Sequence, residues 1–99
     1  MKIYKYILNA EVNKIKMPKD SIVLSVHEQG IDICIWVLFD ERNEKILKER
    51  TFLMIVTGSE YKCYDLSKNN YIGTVLVSMG HYVLHIFEMS VANMPRTLE

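Results

Sequence analysis

The sequence predicts an all-β domain, with a small antiparallel sheet of meander or sandwich type and one long loop that has room for a short helix. Six short apolar runs rich in β-branched and aromatic residues support this class, and turn residues separate most of them. One run, residues 31–39, is apolar on both faces and carries the only tryptophan. Because a strand that is wet on one side alternates, this run is expected at the centre of the sheet.

The first element is predicted at residues 2–8, where Tyr and Leu alternate with Ile and Lys as in a strand. Residues 9–20 mix Asn, Lys and isolated apolar side chains, so they predict a connection with a short extended piece at 12–15. Pro18 argues against a central strand here, because proline cannot donate to a sheet ladder.

A hairpin is predicted next. Residues 21–28 alternate, which places Ile22, Leu24 and Val26 on the inward face. Gly30 can adopt positive φ without strain, so the chain is expected to reverse there and enter the strand at residues 31–39.

Residues 40–43 have the composition of a tight turn, and a strand over residues 45–57 is expected to return beside residues 31–39. The alternative is a surface helix over residues 41–50, which are rich in Glu, Lys and Arg. The hairpin is favoured because helical spacing offers only Ile46 and Leu47 as an apolar face.

Residues 57–70 form the longest irregular segment, in which Ser59 is available to cap one helical turn. Loops of this length are often functional. Residues 71–78 and 82–88 predict a last hairpin, with Gly80 at its turn. The aperiodic remainder predicts a tail over residues 89–99, after a single β domain over residues 1–88.

The composition of the chain limits the classes of function that it can have. The 99 residues fit one domain with its own core, and 12 basic residues balance 12 acidic ones. A net charge of zero provides no global field for nucleic acid or anionic membranes. The two cysteines, Cys34 and Cys63, form no disulfide framework, and neither a leader nor a spanning apolar run is indicated, so a cytoplasmic location is expected.

The sequence indicates no catalytic, cofactor or metal chemistry. His81 and His85 have a zinc-binding spacing on a helix, but on a strand they stand roughly 13 Å apart. Cys34, Cys63 and His27 lack metal-knuckle spacing. No nucleophile elbow and no phosphate-binding glycine motif occur among the four glycines. We therefore expect a protein that is not an enzyme.

A candidate binding surface lies in and beside the long loop, where tyrosines and lysines cluster. Its members are Tyr61, Lys62, Tyr64, Lys68 and Tyr71. Such residues can stack on a base while the lysines contact phosphates, or they can form a protein-binding hot spot. The favoured interpretation is that the tyrosines pack on the sheet as a cover. The sequence does not separate the two binding interpretations from each other.

Several short motifs together resemble a family of short uncharacterised proteins of bacteriophage and prophage genomes, and they span residues 2–88. They are Lys2-Ile-Tyr-Lys-Tyr, Met17-Pro18, Val23-Leu-Ser-Val26, Trp36, Thr57-Gly58, Tyr71-Ile-Gly-Thr74 and Val83-Leu-His-Ile-Phe-Glu88. The resemblance implies a small phage accessory protein, a class whose members often disable host defences or sequester cyclic nucleotide signals.

The leading hypothesis is a non-enzymatic protein that binds a host defence protein through an exposed sheet edge or the aromatic loop. The alternatives are a nucleotide sponge that encloses its ligand at an oligomer interface, and a structural or assembly role in phage development. Because a sheet has edges that need protection, pairing with a second copy of the chain is also expected. Binding to nucleic acid or to membrane is not expected.

Overall fold

The structure is a computed structural model that describes residues 1–60, 69–77 and 80–90. Within these ranges the chain forms seven strands and one 3-10 turn, Glu41–Asn43, which confirms the all-β class. The strands are β1 (Lys2–Leu8), β2 (Val12–Pro18), β3 (Ile22–Gln29), β4 (Asp32–Phe39), β5 (Leu47–Val56), β6 (Asn70–Val77) and β7 (Tyr82–Glu88). No helix in this part of the chain is long and apolar enough to cross a bilayer.

The strands form two antiparallel sheets that pack face to face as a sandwich. The three-stranded sheet has the order β1-β4-β3, and the four-stranded sheet has the order β2-β5-β7-β6. The edge strands β3 and β6 lie against each other along one side. Apolar side chains from the facing surfaces form the main core, which includes Leu8, Met17, Val26, Ile33, Ile35, Val37, Phe52, Val75 and Ile86.

β4 is the central strand of its sheet, as its apolar sequence predicts. Ile35, at its middle, lies between Tyr6 of β1 and Val26 of β3 and is fully buried. Alternate residues of β4 enter the core, and those between them, including Cys34 and Trp36, belong to the outer face. β4 thus has neighbours on both edges, although only one of its two apolar faces enters the core.

The hairpin of β3 and β4 is confirmed. Gly30 has a φ of +62°, and Gln29 pairs with Asp32 across a two-residue turn. Ile31 is the second turn residue and is 98% exposed, so β4 begins one residue later than the sequence suggests. An L side chain at Gly30 would be strained because positive φ disfavours a Cβ.

The inward face predicted for β3 is wrong at two of its three positions. Ile22 and Leu24 are about half exposed, whereas Val23 packs against the core and Val26 is buried. A β-bulge between Val23 and Ser25 leaves Leu24 without a partner on β4 and changes the alternation. An inserted residue shifts every later side chain by one position, which a strict period of two cannot anticipate.

The connection predicted over residues 9–20 contains a complete strand. β2 extends beyond the expected 12–15 piece to Pro18 and pairs along its whole length with β5. It is an edge strand, in agreement with the argument from Pro18. Asn13 fixes its start, because its buried side-chain oxygen accepts hydrogen bonds from the backbone N–H of Asn9 and Ala10.

The strand predicted after residues 40–43 exists as β5, but the predicted hairpin with β4 is wrong. β5 pairs with β2 and β7 in the other sheet, and both edges of β4 are occupied. The side chain of Asp40 caps the intervening 3-10 turn by accepting from the backbone N–H of Arg42, and the chain then crosses to the second sheet. The alternative helix over residues 41–50 is also wrong beyond this single turn.

The last hairpin, β6 and β7, is confirmed, with Gly80 at positive φ in its turn and residues 78–79 outside the described residues. Gly73 lies in β6 at the closest approach of the sheets, where an added Cβ would meet Val26 Cγ1 at 2.9 Å. Beyond β7, Met89 is buried against Leu53 and Ile55 on the outer side of β5.

An ion pair joins β5 and β7 at the other end of the sandwich, and its arginine also bonds to the chain just before β3. Arg50 donates from Nε and Nη2 to the Glu88 carboxylate, at 2.5 and 2.7 Å, and both side chains are mostly buried. Its third nitrogen donates to the backbone carbonyl of Ser21, next to β3. One guanidinium thus fixes β5, β7 and the start of β3 relative to one another.

Candidate binding surface

The outer face of the three-stranded sheet is apolar, and we call it the Trp36 face. Residues directly opposite one another on antiparallel strands share a face, so the register defines its cross-strand rows. The three rows, each ordered β1-β4-β3, are Ile3-Leu38-Ile22, Lys5-Trp36-Ser25 and Ile7-Cys34-His27.

The aliphatic side chains of this face remain in contact with solvent. Ile3, Ile7 and Ile22 on the face, and Leu24 at the adjoining bulge, are each between 47% and 56% exposed. Single exposed apolar residues are ordinary, but a contiguous group marks an interaction surface. Here the group surrounds the only tryptophan of the chain, in the middle row.

Trp36 packs against a ring from the neighbouring strand β3. Its indole packs edge-on against the His27 ring, with centroids 6.1 Å apart and an interplanar angle of 61°. It is only partly buried, so one part of the ring remains available to a partner. A large side chain that is already ordered loses little conformational entropy on binding.

Cys34 is not an accessible thiol, although it belongs to the same face. Lys5 Nζ donates to Gln29 Oε1 at 2.7 Å, which brings the lysine side chain diagonally across β4 from β1 to β3. In this register its aliphatic stem passes over Cys34, which has no exposed surface. Cys34 therefore acts as a small apolar packing residue.

Of the five residues predicted for the binding surface, the structure places only Tyr71. Tyr61, Lys62, Tyr64 and Lys68 lie outside the described residues. Tyr71 is on β6 at the outer face of the four-stranded sheet, where its ring packs edge-on against Phe87 at 5.6 Å. It is therefore on the opposite side of the sandwich from Trp36.

Tyr71 begins a row of hydrogen-bonded side chains across the four-stranded sheet. Its hydroxyl bonds to Thr74 Oγ1, which lies 3.1 Å from His85 Nδ1, and His85 Nε2 lies 2.6 Å from Thr57 Oγ1. Both ring nitrogens of His85 are thus engaged by hydroxyl groups. Among the described residues the row consists of three hydroxyl groups and one imidazole, and it contains no carboxylate that would orient the ring.

A groove of about 650 Å³ opens between the sheets at the end that carries the Gly30 turn. Its floor is apolar, with Leu8, Ile33 and Met54 among its lining residues. The charged groups of its described lining are the carboxylates of Glu28 and Asp32, with no lysine or arginine. Such a lining repels phosphate, so this groove does not suit an anionic nucleotide.

Charged groups concentrate at the opposite end of the three-stranded sheet. Arg42 donates to the Asp40 carboxylate and lowers its pKa to about 2. Hydrogen bonds from Tyr4 and Lys2 lower the pKa of Glu44. All of these groups are at the surface and paired, so they connect the 3-10 turn to β1 and leave no charge poised for catalysis.

The described residues contain no group of three His, Cys, Asp or Glu side chains that could hold a metal ion. His85 is on a strand and His81 is in the turn before it, so the pair lacks the helical geometry that its spacing needs for zinc.

The fold and the exposed face define a class: a small two-sheet β protein with an apolar outer sheet face. Within that class, the chain belongs to the family described as Domain of unknown function (DUF7352), whose model matches residues 1–97. Neither a curated protein nor a solved structure matches the chain.

The Trp36 face is not among the predicted sites, although its signals are present in the sequence. The two-sided apolar pattern of residues 31–39 predicts core burial on both sides, whereas only one side of β4 faces the other sheet. Ile3 and Ile7 alternate with the core residues of β1, so the pattern also indicates an apolar outer face there. The exposure of Leu24 depends on the bulge, which has no clear sequence marker.

Proposed function

We propose that the chain is a non-catalytic binding protein that docks a partner protein on the Trp36 face. The observation that carries this proposal is the exposed aliphatic group around Trp36 on an outer sheet surface. Outer surfaces of antiparallel sheets are ordinarily polar, because they face water. This surface carries apolar side chains on all three strands, with Lys5, Ser25 and His27 as its polar members.

The exposed apolar side chains of the face can contribute part of the binding free energy of a complex. Burial of the exposed half of Ile3, Ile7, Ile22 and Leu24 would contribute about 1 kcal/mol each. Trp36 lies among them, and tryptophan is one of the residue types that are enriched in binding hot spots. The polar groups of Lys5 and His27 lie on the same face and can fix the orientation of a partner.

The biological assignment that we propose is inhibition of a host defence protein in the bacterial cytoplasm. It rests on the resemblance to phage accessory proteins, and a sheet face that binds without chemistry suits a stoichiometric inhibitor. A bacterial strain with an active defence system, challenged by phage in the presence and absence of the expressed chain, tests this assignment. Restored plaque formation supports it, and unchanged protection across a panel of defence systems counts against it.

The binding surface is tested by charge substitution with a matched control. Ile7→Glu and Ile22→Glu put a carboxylate on the Trp36 face, whereas Leu76→Glu puts one at an equally exposed aliphatic position of the four-stranded sheet. A partner captured by the unmodified chain should be retained by Leu76→Glu and lost by both face variants. The purified partner should then change the emission of Trp36 on binding. Equal retention by all variants would refute the assignment of the face.

The nucleotide-sponge alternative gains no support from the acidic groove between the sheets. It is distinguished by a thermal-shift screen with cyclic dinucleotides and ADP-ribose derivatives, since a ligand raises stability with its concentration over Kd. A large shift would favour the sponge over protein binding. Copurification with phage particles would instead favour an assembly role.

A further inference from the structure

The four sheet edges differ in how they are protected. Natural edge strands avoid unwanted pairing through prolines, lysines, bulges or a covering neighbour. β2 ends in Pro18 and presents Lys14 and Lys16, while β3 and β6 each contain a bulge and lie against each other. β1 has no proline, bulge or covering strand among the described residues: it pairs in unbroken register through seven residues with β4, and its lysines, Lys2 and Lys5, are bonded to Glu44 and Gln29.

The one lysine in the middle of β1 does not guard its edge. Lys5 Nζ is bonded to Gln29 on β3, so the charge is drawn away from the open edge and toward β3. On the core-facing side of the strand, Tyr4 is 37% exposed and Tyr6 is partly exposed. The sandwich is thus incompletely covered along the β1 edge, where aromatic side chains remain accessible.

The sequence of this edge is a palindrome. Residues 3–7 read Ile-Tyr-Lys-Tyr-Ile. In an antiparallel pair of identical strands related by a two-fold axis at Lys5, Ile3 stands opposite Ile7 of the second copy and Tyr4 opposite Tyr6 of the second copy. Like residues therefore meet on both faces, and aromatic and β-branched cross-strand pairs stabilise sheets.

We propose that the β1 edge pairs antiparallel with β1 of a second copy of this chain, with the two-fold axis at Lys5. The two three-stranded sheets then join as one six-stranded sheet of order β3-β4-β1-β1-β4-β3. Four tyrosines become covered on its inner side, and the Trp36 faces of both copies become one continuous apolar surface. The pairing rests on the edge and its palindrome, so it does not depend on the proposed function.

The like charges of the two Lys5 residues at the axis lower the stability of this pairing. The two Lys5 residues stand directly opposite each other, and opposed like charges weaken a strand pair. Their bonds to Gln29 draw the two ammonium groups apart, toward the β3 strands. The Ile and Tyr pairs on either side carry the stabilisation.

Cysteine substitution tests both the pairing and its register. Directly opposed residues in an antiparallel pair have Cα atoms about 4.5–5.5 Å apart, which lies within the range for a disulfide. Lys5→Cys is made in a Cys34→Ala/Cys63→Ser background, because the substitution would otherwise uncover the Cys34 thiol, and is oxidised with oxidised glutathione at micromolar protein concentration. Lys16→Cys on the β2 edge, in the same background, is the matched control.

The expected result is a covalent dimer of Lys5→Cys that forms at least about ten-fold faster than any dimer of Lys16→Cys. Tyr4→Cys and Tyr6→Cys should cross-link when mixed and much less when oxidised separately, because each opposes the other. The unmodified chain should sediment with twice the 11.6 kDa of one chain, and far-ultraviolet circular dichroism confirms the fold of each variant. A chain that sediments as a monomer overturns the proposal, and so does equal cross-linking of the Lys5→Cys and Lys16→Cys variants.

Discussion

Gly73→Ala is expected to destabilise the protein because the two sheets approach each other most closely at this position. The added Cβ would lie 2.9 Å from Val26 Cγ1, whereas two carbon atoms pack best at about 3.5–4.0 Å. Valine has a stiff χ1 and cannot rotate away cheaply. Overpacking of this kind costs about 1–3 kcal/mol, and the loss of a glycine from a strand returns about 0.5–1 kcal/mol. The expected net loss is about 1–2 kcal/mol.

A double-mutant cycle tests whether the contact with Val26 causes this loss of stability. Val26→Ala alone should cost about 2 kcal/mol through lost core packing. It also removes the atom that the Cβ added at position 73 would meet, so the double variant Gly73→Ala/Val26→Ala should be about 1–2 kcal/mol more stable than additivity predicts. The free energy of unfolding is measured in urea, with Trp36 emission and far-ultraviolet circular dichroism as two independent signals.

A matched control uses another glycine. Gly30→Ala is strained by a φ of +62°, but no atom lies within 4 Å of its added Cβ. Its cost should add to that of Val26→Ala within about 0.5 kcal/mol, as for separate sites. Additivity of Gly73→Ala with Val26→Ala, within the same margin, would refute the steric explanation of Gly73.

Three further substitutions test the other contacts of the fold. Arg50→Ala leaves the mostly buried Glu88 carboxylate without its partner and should lower the free energy of unfolding by about 2 kcal/mol. Addition of Glu88→Gln should recover part of this loss, because it removes the unpaired charge. Equal losses with and without Glu88→Gln would contradict this explanation. Asn13→Ala removes the buried side chain that binds the start of β2 and should lower the free energy of unfolding, measured in urea, by about 2 kcal/mol. A loss within measurement error would show that water replaces the hydrogen bonds of Asn13. The Arg42 side chain lowers the pKa of folded Asp40 to about 2 from an ordinary 3.8, so the contribution of Asp40 to stability is complete above about pH 4 and is lost as the pH falls through 2. Asp40→Asn should remove that part of the acid dependence, and an unchanged pH profile of unfolding would contradict the assignment.

The sequence predicted the features that depend on local chemistry. Gly30 marked a turn because positive φ favours glycine, and the apolar strand that follows lies at the centre of its sheet. The position of Pro18 at the end of an edge strand follows from its missing N–H. These signals act over a few residues, so they can be recognised without knowledge of the fold.

The features that depend on partners distant in sequence could not be predicted in this way. β5 is recognisable as a strand, but nothing in residues 40–43 shows that the chain crosses to another sheet. The bulge at Leu24 reverses which residues of β3 face the core, and it is defined only by the pairing with β4. The apolar pattern of β4 predicts that Trp36 is buried in the core, but Trp36 lies on the outer face. A strand that is apolar on both faces does not show which face packs against the second sheet.

The pairing of β1 with β4 has a consequence for how the protein folds during synthesis. β1 pairs only with β4 among the described strands, so it has no partner until β2, β3 and then β4 have been synthesised. The strand that follows it in sequence, β2, pairs with β5, which is synthesised later still. Structures dominated by such distant pairings fold in milliseconds to seconds, more slowly than those with local contacts. The nascent chain therefore carries an unpaired Ile-Tyr-Lys-Tyr-Ile segment until β4 is synthesised, and an unpaired apolar strand of this kind is exposed to aggregation during that time.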